Sequence, residues 1–171
     1  ALAVNPSIVY ARVAHENKIF IVAKSLVEKI FTSSFTVLSE HEGKEFEGVS
    51  YVAPFDYVQI EKGHKVVLAD YVTEQSGTGI VHIAPAFGED DAKVGRKYDL
   101  PFVQFVDGQG NLTAETPYAG TFVKKADPLV LVDLEKAGLL FDAPKFEHDY
   151  PHCWRCDTPL IYYARESWFI K

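Results

Sequence analysis

The sequence predicts an α+β chain with a β-barrel-like mixed fold and a few short helices. Three observations carry this. Short runs rich in β-branched and aromatic residues outnumber the helical patterns. The helices stand as isolated insertions, so the β-α-β alternation of a doubly wound sheet is missing. Hydrophobic residues make up 47% and charged residues 24% of 171 residues, enough for a real core and too apolar for disorder.

The elements follow in order. Residues 8–13 and 18–23 read as a hairpin around His15, Glu16 and Asn17. Ser25 precedes Leu26, Val27, Ile30 and Phe31, with Glu28 three residues on; this predicts a capping box and a helix over 25–32. Residues 34–39 read as a strand, and 42–57 as irregular. Val66, Val67 and Leu68 open a strand towards Val72. Gly77-Thr78-Gly79 is a turn before a strand over 80–83. A helix over 88–98 opens on Glu89, Asp90 and Asp91 and closes on Arg96 and Lys97, which complements the helix dipole. Residues 102–106 read as a strand ended by Asp107-Gly108. Asp127-Pro128 predicts an N-cap with proline at the first helical position, and Gly138 a stop. The chain shows no internal repeat and no low-complexity tract.

The formal charge is −7. That argues against a generic basic nucleic-acid coat and leaves room for one local contact. No apolar run approaches the ~20 residues of a membrane helix, and no signal peptide opens the chain. A cytoplasmic protein with no membrane partner is expected. Methionine is absent. The chain opens on Ala1-Leu2-Ala3-Val4 and closes on Trp168-Phe169-Ile170-Lys171. It reads as a domain cut from a larger protein, with a main domain over 1–149 and a C-terminal segment over 150–171.

The densest polar cluster runs from Ser76 to Asp91. His82 sits in an apolar strand, and the acidic run follows at a helix start. A loop over 85–88 that folds the helix back would let His82 and one carboxylate line a single pocket. An inward aspartate there would bind a ligand ammonium. Each residue alone has a plainer reading. A strand histidine is more often a satisfied core or edge residue. An acidic run at a helix start is usually a cap, and a glycine pair is usually a turn.

The segment GTGIVHIAPAFGEDD resembles the signature of the editing domain, or CP1 insertion, of isoleucyl-tRNA synthetase, a class I aminoacyl-tRNA synthetase. ALAVNP resembles the stretch after that family's threonine-rich motif, and YPHCWRCDTPLIYYARESWF the return to its catalytic domain. The likeness covers nearly the whole chain. The valyl and leucyl relatives share the Gly-Thr-Gly and the later aspartate but typically place Lys or Met where His82 stands.

The resemblance implies an aminoacyl-tRNA deacylase of the synthetase editing-domain fold, within an isoleucine-tRNA ligase of protein biosynthesis. Asp91 matches the aspartate that holds the α-ammonium of the misacylated amino acid, and is the residue expected to serve catalysis. It does so as an anchor, not as a demonstrated general base. His82 matches the histidine beside the amino-acid side chain, where it helps exclude isoleucine. Gly77, Thr78 and Gly79 match the strand entry that shapes the pocket floor. Glu89 and Asp90 read as exposed cap residues. The implied partners are the 3′ end of tRNA(Ile) carrying valine, valyl-adenylate, and the rest of the parent synthetase. No cofactor is expected in this fragment; ATP and Mg belong to the parent catalytic domain. The threonine-rich peptide falls ahead of Ala1, so weak or absent hydrolysis by this chain alone is the expectation.

Cys153 and Cys156 form a C-x-x-C unit that supplies half of a tetrahedral zinc site, with the other pair expected in the parent enzyme. Two free thiols here is the plainer reading. Trp154, Arg155, Tyr162, Tyr163, Trp168 and Phe169 suit nucleic-acid stacking or, more simply, a domain junction. Lys124-Lys125 and the group Lys62, His64, Lys65 suit phosphate contacts or a solvated face. Two other functions remain: a non-catalytic module that binds the tRNA end or braces its parent, and the valyl or leucyl counterpart.

Overall fold

In a computed structural model, residues 1–145 and 149–168 are described. The chain forms two compact units. The first comprises Ala1–Val52, Ile60–Pro85 and Glu89–Phe102; the second comprises Ala53–Gln59, Ala86–Gly88 and Val103–Lys171.

The first unit is built on two three-stranded sheets. In one, β2 (Val9–His15) lies between β3 (Lys18–Ala23) and β4 (Thr36–Glu42), all antiparallel. The β2–β3 hairpin closes His15 on Lys18, so only Glu16 and Asn17 turn the chain, at φ 46° and 62°. Two left-handed residues give the turn that matches strand twist. In the other sheet, β1 (Leu2–Val4) runs parallel to β5 (Val66–Leu68) and antiparallel to β6 (Val81–His82). The mixed fold with few short helices is as predicted. Among the described residues both sheets stay open, and no barrel closes.

Three small cores hold these elements. Ala3, Val67, Ala69, Val72, Ile83 and Val94 bury one face of the β1 sheet against α2 (Glu89–Lys97). Ala11, Val13, Val22, Val27 and Phe31 bury the hairpin against α1 (Val27–Ile30). Val4, Tyr10, Ala23 and Leu26 form the third. Tyr10 is fully buried, so its hydroxyl needs partners. It accepts the Asn5 backbone N–H at 3.0 Å and donates to the Gly79 carbonyl at 2.7 Å.

Several predicted details are corrected. The helix over 25–32 is a 3-10 turn, Lys24–Leu26, followed by the one-turn α1, and no side chain caps either. The Ser25 hydroxyl instead donates to Glu74 at 2.8 Å, a partner far along the chain. A capping box does form at the 3-10 turn Gly43–Phe46, between Glu42 and Glu45. Residues 102–106 form no strand; Val106 makes a single bridge to Leu112.

In the second unit, α3 (Val123–Lys136) begins before the predicted Asp127 cap, so Pro128 lies inside it. The Val123 N–H bonds the Gly110 carbonyl and Ala126 is buried. These tertiary contacts start the helix one turn early. Gly138, at φ 67°, ends it, and the Leu139 N–H reaches back to the Leu134 carbonyl. The Asp107 carboxylate organises the preceding turn by accepting the Gln109 and Asn111 N–H groups.

Candidate functional site

The site lies at the end of β6, in the first unit. Strand alternation turns Ile83 into the core, where it is 1% exposed, and His82 to the opposite, open face. The chain then turns at Pro85. Helix α2 packs back on that proline through Gly95, where an added Cβ would lie 2.9 Å from the Pro85 ring. Val94 meanwhile docks in the core beside Ile83. Any larger residue at Gly95 would push the helix start away from the strand.

This packing brings Asp91 to the strand end. One carboxylate oxygen accepts the Ala84 backbone N–H at 3.0 Å, and the other accepts the Tyr71 hydroxyl at 3.3 Å. Asp91 is half-buried and acts on His82 through space, favouring the charged imidazole. Partial burial of the ring outweighs it and holds the His82 pKa below its ordinary value. The folded chain therefore takes up this proton at lower pH than the unfolded chain. Stability is expected to fall as pH drops through about 6.5 and to level off below the folded pKa. His82→Gln should flatten that part of the curve, as read by urea unfolding between about pH 7.5 and 5.

Glu89 and Asp90 point elsewhere. Both are exposed and pair with Lys93, at 3.0 and 3.1 Å. Only the third acid of the run turns inward. The glycine turn sits on the other side of β6's start. Gly77 and Gly79 have φ of 69° and 75°. The Thr78 carbonyl accepts the Ala23 N–H at 2.8 Å, and Gly79 is pressed against Ala23.

Sequence reasoning missed two residues. Tyr71 carries no motif signal, because its partner lies twenty positions on and is reached only by folding. Asn5 bonds across a far longer gap, 65 and 67 positions: its side-chain amide donates to the carbonyls of Asp70 and Val72, at 3.0 and 2.9 Å. An open depression of about 660 Å³ also exists in this unit, lined in part by Lys24, Ser25, Glu40 and Glu74. These polar groups already pair with one another, Lys24 with Glu40 and Ser25 with Glu74. It includes none of the site residues predicted from the sequence, His82, Asp91 and Gly77 to Gly79.

In the second unit, Cys153 is half-buried, Cys156 exposed, and both thiols are free. Among the described residues no three His, Cys, Asp or Glu side chains converge on a metal position. The His152 ring is turned to the Tyr150 carbonyl at 2.9 Å. Hydrogen bonds from Thr158, then contact with Cys153, hold the Cys156 thiol below its ordinary pKa. Iodoacetamide near neutral pH is expected to alkylate Cys156 before Cys153, read by peptide mass spectrometry.

The aromatic segment is open to solvent. Trp154 is 86% and Tyr162 68% exposed, and the Arg155 guanidinium covers the Trp154 ring. Phe169 lies outside the described residues. Most of the basic groups are engaged: Lys62 pairs with Asp99, Lys65 bonds the Tyr98 carbonyl, and Lys124 lies over the Tyr150 ring. Among the described residues no helix is long and apolar enough to cross a membrane.

Comparison with known proteins follows the same line. No protein-family model matches the chain. The isoleucine–tRNA ligase 2 of Bacillus cereus is 47% identical over 172 residues, which is 100% of this chain and 17% of that protein. The isoleucine–tRNA ligase of Clostridium novyi is 48% identical over 173 residues, again 100% of this chain and 17% of the relative. That of Thermus thermophilus is 46% identical over 171 residues, 100% of this chain and 16% of the relative. The chain thus spans about one sixth of the length of the curated relatives it matches. Among solved structures, the crystal structure of GlLeuRS-CP1 superposes with a TM-score of 0.64 at 16% identity, covering 84% of this chain and 78% of that one.

Proposed function

Because this chain is homologous along its whole length to isoleucine–tRNA ligases and has the fold of a CP1 domain, we propose that it is the second sieve of an isoleucyl enzyme. It hydrolyses valine from tRNA(Ile), and from valyl-adenylate. A synthetic site built for isoleucine discriminates poorly against valine, since one methylene is worth only ~1–3 kcal/mol, as is known of isoleucyl-tRNA synthetases. A second, smaller pocket removes the error.

The observation that supports this reading is the Asp91 carboxylate, half-buried and held at the end of β6 within electrostatic reach of His82. It meets the substrate's ammonium, and the ester carbonyl then lies before an attacking water. The reaction is direct hydrolysis. Its contributions are positioning and charge, with no covalent intermediate. Neutral His82 stands beside the amino-acid side chain and disfavours isoleucine by contact. Gly77, Thr78 and Gly79 set the pocket floor. Aminoacylation with ATP and Mg, and any zinc completed around Cys153 and Cys156, belong to a longer parent enzyme.

One observation favours a second reading, a module that binds the tRNA end or braces its parent without chemistry. It is the open aromatic surface of Trp154, Tyr162 and Trp168. Non-hydrolysable 3′-terminal adenosine analogues carrying valine or isoleucine separate the two. A sieve binds the valyl analogue in preference to the isoleucyl one; equal binding, or none, leaves the module.

A further inference from the structure

An aspartate that anchors an ammonium must present fixed lone pairs. Left alone it does not, because rotation of a carboxylate about its last bond is soft and nearly two-fold. Asp91 has one backbone donor, Ala84, on one oxygen. That pins one oxygen and leaves the other free to swing. The Tyr71 hydroxyl reaches that second oxygen. With one donor on each oxygen, about two of the four lone-pair positions remain for a ligand.

Tyr71 is itself held. It lies in the connection from β5 to β6, with Val72 next to it buried in the core. The Asn5 amide spends both hydrogens on the carbonyls flanking it, Asp70 and Val72. The amide oxygen of Asn5 accepts the Ser7 N–H, and its backbone N–H bonds Tyr10. Tyr10 in turn donates to Gly79. A continuous chain of hydrogen bonds therefore runs from the glycine turn through Tyr10 and Asn5 to the loop that presents Tyr71. Partial burial, then the charge of Asp91, pushes the Tyr71 hydroxyl up to about 12, so it keeps its proton at any working pH.

We propose that Tyr71, presented by Asn5, is a positioning residue that fixes the Asp91 carboxylate for a ligand's ammonium group. The inference rests on Asp91 as the ammonium anchor and adds what aims it. Tyr71 touches no substrate on this account; it acts through Asp91 alone.

The test uses two non-hydrolysable adenosine analogues, one carrying valine and one carrying the same acyl group without its amine. Affinities are measured for the wild type, Tyr71→Phe, Asp91→Asn and the double variant. The wild type is expected to prefer the amine. Tyr71→Phe keeps the ring and should weaken the amine-bearing analogue about five- to tenfold, leaving the amine-free analogue unchanged. In the Asp91→Asn background the same change should have no further effect. A merely structural role would weaken both analogues together, or would act equally in both backgrounds; either result overturns the proposal while Asp91 remains the anchor. A wild type with no amine preference overturns the anchor reading, and this inference with it.

Discussion

Asp91→Asn is expected to lower the affinity for the valyl adenosine analogue by at least about thirtyfold. The reasoning is electrostatic. Removing one partner of a desolvated charge pair costs about 2–5 kcal/mol, and 1.4 kcal/mol is tenfold. Asparagine keeps an oxygen for the Ala84 N–H, so the local turn survives. The amide nitrogen then faces the Tyr71 hydroxyl and donates to it, the reverse of the bond Tyr71 makes to the carboxylate. Stability should therefore change little while binding collapses. A variant that binds the valyl analogue as well as wild type would remove Asp91 from the site. Neither Glu89 nor Asp90 should show the effect, since both are exposed and tied to Lys93. Their amide variants serve as controls of equal charge change.

Gly79→Ala is expected to give the largest loss of stability. Gly79 has φ 75°, and a Cβ there would lie 2.5 Å from the Ala23 Cβ. The left-handed backbone alone costs an alanine about 1–2 kcal/mol. The overlap adds roughly 1–3 kcal/mol, because Ala23 is fully buried and has no flexible end to move. Relief would also disturb the Gly79 carbonyl, which accepts the Tyr10 hydroxyl. The total is about 2–5 kcal/mol, read by urea unfolding. Gly77→Ala separates the two terms. Its φ is 69° with nothing within 4 Å of the added atom, so only the backbone term applies. If the two variants lose stability equally, the contact with Ala23 contributes nothing.

These two cases show what was legible and why. The glycine pair and the acidic run stand out in the sequence because turn chemistry and helix charge are local. The hairpin was legible for the same reason, from two apolar runs around a short polar turn. The signature around His82 and Asp91 pointed to the isoleucyl synthetases, and the relatives at 46–48% identity bear that out. The helix over 25–32 was misread because Ser25 has a better partner in Glu74 than in its own backbone. The start of α3 was misread because Gly110 supplies a carbonyl to Val123. In both, a distant group outcompeted a local rule.

By itself the sequence determined the β2–β3 hairpin, the helix that opens on the acidic run, the mixed fold class, and the inward candidacy of one acid in the run 89–91. Only the tertiary structure decided which partners hold Asp91, the Ala84 N–H at the strand end and the Tyr71 hydroxyl, and that Asn5 stands behind them. The physical reason is range. Periodicity and capping are set within a turn or a strand, where neighbours in sequence are neighbours in space. Hydrogen bonds from Asn5 to Val72, or from Tyr71 to Asp91, exist only after the parallel pairing of β1 with β5 and the docking of α2 bring those atoms together.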